Sequence, residues 1–156
     1  MIDDVLSEIP IFKNLDSKQL NELTRWLTRM DLEEGQVVLK EGEPSEGIYV
    51  LAEGEVEVLK YVNGHPIHVA SLKAPSVLGE MGVLIAKPRT AEVRSTTPVT
   101  LGFLPGDLLR EKFAADNVAA LRIALNLGRI ACLRLQATTC KLAEVSEHHT
   151  QDTVNV

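Results

Sequence analysis

The spacing of apolar positions divides this chain into stretches of different period. Through residues 3–29 the period is helical: Leu20, Leu23, Trp26 and Leu27 follow Asp16, a residue type that suits a helix N-cap. Trp26 reads as a filler between helices. From Met30 to Leu104 the period falls to two, and short strands alternate with turns. Val37–Leu39 lies between Glu34-Gly35 and Glu41-Gly42-Glu43-Pro44, and Ile48–Leu51 precedes Glu53-Gly54. Val56–Val62 alternates strictly, Asn63-Gly64 signals a tight hairpin, and Ile67–Leu72 forms the return strand. Ala91–Thr96 and Val99–Leu104, joined near Thr97-Pro98, supply a last pair. Turns at such short intervals predict a sandwich or barrel.

After Pro105-Gly106, residues 107–113 read as a short helix, and one long helix of roughly 40 Å spans about 117–145. Two apolar faces run along it. Leu121, Leu125, Gly128, Cys132, Leu135, Thr139 and Leu142 keep alternating spacings of four and three, the signature of a two-helix seam. Ile123, Leu127 and Ile130 lie on a second face, suited to the chain's own β-domain. Two faces need two partners, so a parallel homodimer through this helix is expected. Residues 146–156 are polar and read as a frayed tail.

Composition narrows the function. The 156 residues suffice for one domain, and 45% apolar with 24% charged residues is ordinary for a globular protein. A formal net charge of −6 with scattered Lys and Arg argues against a nucleic-acid partner. No apolar run approaches the roughly 20 residues of a membrane helix, and Met1-Ile2-Asp3-Asp4 does not resemble a signal peptide, so a cytoplasmic location is expected. Cys132 and Cys140 stand about 12 Å apart along a helix, too far for an internal disulfide. His65 and His68 lie three apart near a hairpin, and His148 and His149 fall in the tail, a poor set for a metal.

The candidate chemistry lies in residues 78–93, Leu-Gly-Glu-Met-Gly-Val-Leu-Ile-Ala-Lys-Pro-Arg-Thr-Ala-Glu-Val. Gly79 and Gly82 bracket Glu80, and glycines let backbone amides approach an anion closely. Arg89 supplies a planar, permanently charged fork for phosphate oxygens. Glu80 can accept hydrogen bonds from sugar hydroxyls.

This segment resembles the phosphate-binding cassette of cyclic nucleotide-binding domains, the family of catabolite activator proteins and protein kinase A regulatory subunits. Leu78 stands where Phe is common. The resemblance implies a mainly β fold with flanking helices. Its elements would be an N-terminal helical bundle (1–30), an eight-stranded jelly-roll β-barrel (31–105), helices over 106–145 and a flexible tail (146–156). It places Gly79, Glu80, Met81, Gly82, Arg89, Thr90 and Ala91 at the ligand. Glu80 and Gly79 would hold the ribose 2′-hydroxyl, Arg89 the cyclic phosphate, and the amides of Gly82 and Thr90 would complete the cradle. Thr138 and Thr139 resemble the pair that meets adenine across the dimer, although Arg134 and Gln136 are alternative equivalents. The expected function is a non-enzymatic sensor of a cyclic nucleotide, cAMP more than cGMP, without metal, transmitting through the long helix to a downstream protein partner. Two rivals stand beside it: a nucleotide-free dimeric scaffold of the same fold, and a cupin-like metalloenzyme.

Overall fold

The computed structural model describes residues 5–154, and side-chain surroundings through residue 148. Two 3₁₀ turns, Leu6–Glu8 and Pro10–Phe12, lead into helix α1 (Ser17–Thr24). Asp16 caps α1 as its sequence position predicts: its carboxylate accepts from Gln19 N at 2.8 Å, and Gln19 Oε1 accepts from Asp16 N at 3.0 Å. Strands β1 (Thr28–Leu32), β2 (Val37–Leu39), β3 (Gly47–Glu53), β4 (Glu55–Val62), β5 (His65–Lys73) and β6 (Ser76–Leu78) follow. Helix α2 (Glu80–Ile85) then precedes β7 (Glu92–Ser95) and β8 (Val99–Pro105), and helices α3 (Gly106–Ala114) and α4 (Val118–Val154) complete the order.

The strands form two four-stranded antiparallel sheets, ordered β1-β8-β3-β6 and β2-β7-β4-β5. They do not close into the expected barrel. Among the described residues no ladder joins one sheet to the other; side chains seal the layers instead. Leu39, Val56 and Val93 of one sheet meet Leu51, Leu78 and Leu101 of the other, all buried. The chain changes sheet between β3 and β4 at Gly54, whose φ of +88° and tight approach to Pro98 O leave no room for a Cβ. Asn63 and Gly64 both take positive φ in the β4–β5 hairpin, the conformation that Asn-Gly favours.

Three other expectations need correction. Among the described residues the N-terminal segment holds helix α1 and two 3₁₀ turns, and β1 already begins at Thr28, inside the stretch expected to be a helical bundle. Leu23 and Trp26 do share a buried cluster, but a turn places Trp26 there, with Trp26 N donating to Leu23 O after α1 ends. Residues 1–4 lie outside the described residues. The long helix does not stop at 145: it continues to Val154 through the polar stretch, because no Gly or Pro after Gly128 breaks it.

Helix α4 spans about 55 Å, and its first third is the part anchored to the rest of the domain. Ala120, Ile123 and Leu127 are fully buried in a cluster with Phe12, Leu104 and Leu109. Asn126 Nδ2 donates to Ile11 O at 2.9 Å and to Lys13 O at 2.8 Å, locking the N-terminal turns onto the helix. Beyond Ile130 the same helix exposes Leu133, Leu135, Leu142 and Val145. Ile123→Ala is therefore expected to destabilise the fold by about 2–5 kcal/mol in urea unfolding. Leu133→Ala, at 65% exposure, should shift the dilute chain by no more than about 0.5 kcal/mol.

Candidate functional site

The candidate site forms where the chain leaves one sheet after β6 and rejoins the other at β7. Between them residues 79–91 make an irregular excursion around the six-residue helix α2. Gly79 opens it at φ +77°, a left-handed conformation that a side chain adopts at a cost. Space is a second constraint there. A Cβ on Gly79 would overlap the Arg89 guanidinium, and one on Gly82 would overlap Ser45. The bracketing glycines thus make room for Arg89 and for the β2–β3 loop.

Arg89 is 7% exposed. Its Nη1 donates to Gly79 O and its Nη2 to Gly47 O, both at 2.7 Å. The two carbonyls come from opposite sides, the end of β6 and the start of β3. Burial pushes the guanidinium down from its ordinary pKa, against the favourable fields of Tyr49, Glu80 and Glu46. An Arg stays charged under such a shift. No carboxylate hydrogen bond or ion pair to Arg89 is present among the described residues.

Glu80 is 2% exposed and pairs with Arg134 Nη1 of α4. Arg134 Nη2 also donates to Val77 O at 2.9 Å, so the α4 residue is held both by the acid and by β6. Arg89 and Glu80 line one cavity of about 150 Å³. Its apolar wall comes from Leu39, Val58, Leu72, Val77 and Val93, its rim from residues 79–82 and 87–91, and its α4 side from Arg134.

Of the residues singled out in the sequence, Gly79, Glu80, Met81, Gly82, Arg89, Thr90 and Ala91 all meet at this cavity. Thr138 and Thr139 do not. Both are exposed, and their hydroxyls donate back to Arg134 O and Leu135 O. They sit a turn beyond Arg134, so within one chain Arg134 is the α4 side chain that arrives. Gly47 and Ser45 escaped the sequence reading, because their roles depend on a carbonyl and on a gap at Gly82. Lys87 also lines the rim. Among the described residues no group of three or more His, Cys, Asp or Glu could hold a metal ion. No described helix is long and apolar enough to cross a membrane. Gly79→Ala is expected to cost roughly 1–3 kcal/mol in thermal or urea unfolding, from the positive φ and the displaced guanidinium together.

Comparison with known proteins places this geometry. Residues 29–116 match the family described as the cyclic nucleotide-binding domain. The chain is 36% identical over 107 residues to a cAMP-dependent protein kinase regulatory subunit of Yarrowia lipolytica, covering 69% of this chain and 28% of the relative. It is 27% identical over 145 residues to a CRP-like cAMP-activated global transcriptional regulator of Mycobacterium tuberculosis, covering 92% and 63% respectively. It therefore spans only part of the length of these curated relatives. A cyclic nucleotide-binding domain from Methylobacillus flagellatus shares the fold with a TM-score of 0.79 at 20% identity, over 90% of this chain and 79% of that one. The family, a regulatory and generally non-enzymatic one, also includes regulators like catabolite activator protein. With the matched region taking in all of both sheets but the first residue of β1, the α2 turn and Arg89, this chain belongs to the cyclic nucleotide-binding domain family.

Proposed function

We propose that this domain is a sensor whose ligand is a 3′,5′-cyclic nucleotide. One observation carries the reading: Arg89 is a buried cation hydrogen-bonded to two neutral carbonyls, at the wall of a cavity, with no bonded carboxylate among the described residues. A desolvated charge of this kind favours an anion. Its remaining N–H groups suit the exocyclic oxygens of a cyclic phosphate. Glu80, on the same cavity, suits the ribose 2′-hydroxyl, and the backbone at Gly82 and Thr90 completes the cradle. Adenine is taken over guanine as the base, although relatives named for cAMP and for cGMP both match the chain.

Signal transmission follows from what Glu80 already holds. At about 150 Å³ the cavity is smaller than the roughly 300 Å³ at which ligand pockets begin, so a nucleotide must open it. The ribose reaches Glu80 only by displacing Arg134 or sharing the carboxylate with it. Ligand binding thereby discriminates between two positions of α4, the condition for a population shift. On the part of α4 that precedes Arg134, Ala124, Leu125, Gly128, Cys132 and Leu133 form an apolar groove that suits a second copy of the helix. In that dimer Thr138 and Thr139 would face the partner subunit's base, and the exposed end of α4 would carry the signal to a protein partner. The domain acts as a cytoplasmic receptor without catalysis of its own.

Arg89→Leu is expected to weaken cAMP binding at least tenfold in titration calorimetry, since each charge-assisted bond contributes about 1.5–3 kcal/mol. Glu80→Gln should remove preference for ribose over 2′-deoxyribose analogues while retaining part of the phosphate affinity. A wild-type chain that binds neither cAMP nor cGMP would leave the dimeric scaffold as the reading of the fold.

A further inference from the structure

The segment that carries Arg89 is pinned from outside at successive positions. Arg89 N donates to Glu43 O and Gly42 N donates to Arg89 O, each at 2.9 Å, so the β2–β3 loop lies beside the segment like a short strand. Lys60 Nζ donates to Thr90 O at 2.6 Å. The remaining pin is a side chain of the loop: Ser45 Oγ donates to Lys87 O at 2.7 Å. Ser45 also occupies the space left by the missing side chain of Gly82, where a Cβ would overlap its Oγ and Cβ. It thus touches both arms of the excursion, the α2 turn and the stretch leading to Arg89, without lining the cavity.

We propose that Ser45 is a positioning residue for anion recognition, setting the gap between the α2 turn at Gly82 and the Arg89 guanidinium. The proposal rests on the nucleotide reading above. Lys87 O lies in an exposed bond, so water replaces Ser45 there at little cost to the fold. Arg89 itself then loses a nearby fixed point. A guanidinium free to wander by a fraction of an ångström binds a phosphate less well, because its ordering must occur on binding.

The test compares wild type, Ser45→Ala, Ser45→Gly, Gly82→Ala and the size-swapped pair Ser45→Gly with Gly82→Ala. Three quantities are read: cAMP affinity by calorimetry, thermal midpoint without nucleotide, and exchange of the Arg89 amide proton. Ser45→Ala is expected to weaken cAMP about threefold to tenfold, the range of one neutral hydrogen bond. Its midpoint should hold, and its Arg89 amide should exchange faster. Gly82→Ala should lose more affinity, and the swapped pair should recover part of that loss, revealing direct coupling. Wild-type binding matched by Ser45→Ala, with unchanged exchange at Arg89, overturns the positioning role and leaves the nucleotide reading intact. Strictly additive losses in the swapped pair overturn it as well. A wild type that binds no cyclic nucleotide removes both.

Discussion

Everything in this site depends on one guanidinium buried between two backbone carbonyls. Arg89 joins the end of β6, through Gly79 O, to the start of β3, through Gly47 O. Its own backbone is meanwhile tied to the β2–β3 loop. The side chain thus joins two stretches distant in sequence, and the backbone of the same residue holds the loop that leads into one of them. The glycines around it are explained by the same fact. Gly79 clears the guanidinium, Gly82 clears Ser45, and Gly47 lies so close to Leu104 O and the Phe103 ring that a Cβ would overlap both. The carbonyls satisfy donors but do not neutralise charge, so the cavity wall keeps a net positive character inside a chain of net charge −6. At such short range the local cation outweighs the distant acidic surface, which salt screens.

The acid across the cavity is arranged differently. Glu80 is compensated, and its partner Arg134 belongs to the helix that leaves the domain. Upstream of Arg134, α4 is fixed by Ile123 and Leu127 in the core and by Asn126 on the N-terminal turns. Downstream its apolar residues are exposed. The Glu80–Arg134 pair thus lies at the boundary between the anchored and the unsupported parts of the helix. Both residues of the pair line the cavity, and one of them belongs to α4.

Local signals in the sequence were reliable where the physics is local. The Asp16 cap and the Asn63-Gly64 hairpin are properties of a few adjacent residues, and both are present. The strict alternation expected of β4 is not kept: its ladder with β5 shifts register between Val58 and Leu59, and Lys60, Tyr61 and Val62 are all exposed. Two strands were harder to place. β6 is three residues long, and β1 has only Met30 and Leu32 to alternate with the charged Arg29 and Asp31, next to a stretch of helical spacing. The two charged side chains pair with each other, and Asp31 also accepts from Thr100 of β8, so the charges are settled by a neighbour the sequence does not reveal. The end of α4 was misread for a related reason: polarity suggests exposure, but a helix ends only where something breaks it.

The sequence by itself determined the period of each segment, the two apolar faces of α4, and a cassette in which Gly79, Glu80, Gly82 and Arg89 stand at fixed intervals. Those features are set by backbone conformation and by spacing along the chain. Only the tertiary structure decided that two open sheets replace a barrel, that Arg89 rests on Gly47, that Ser45 fills the gap at Gly82, and that Arg134 rather than Thr138 or Thr139 meets Glu80. Each of these is a contact between residues about 37 to 54 positions apart or an edge left unpaired. Such contacts are selected by packing volume and hydrogen-bond satisfaction in three dimensions, and no pattern along one dimension encodes them.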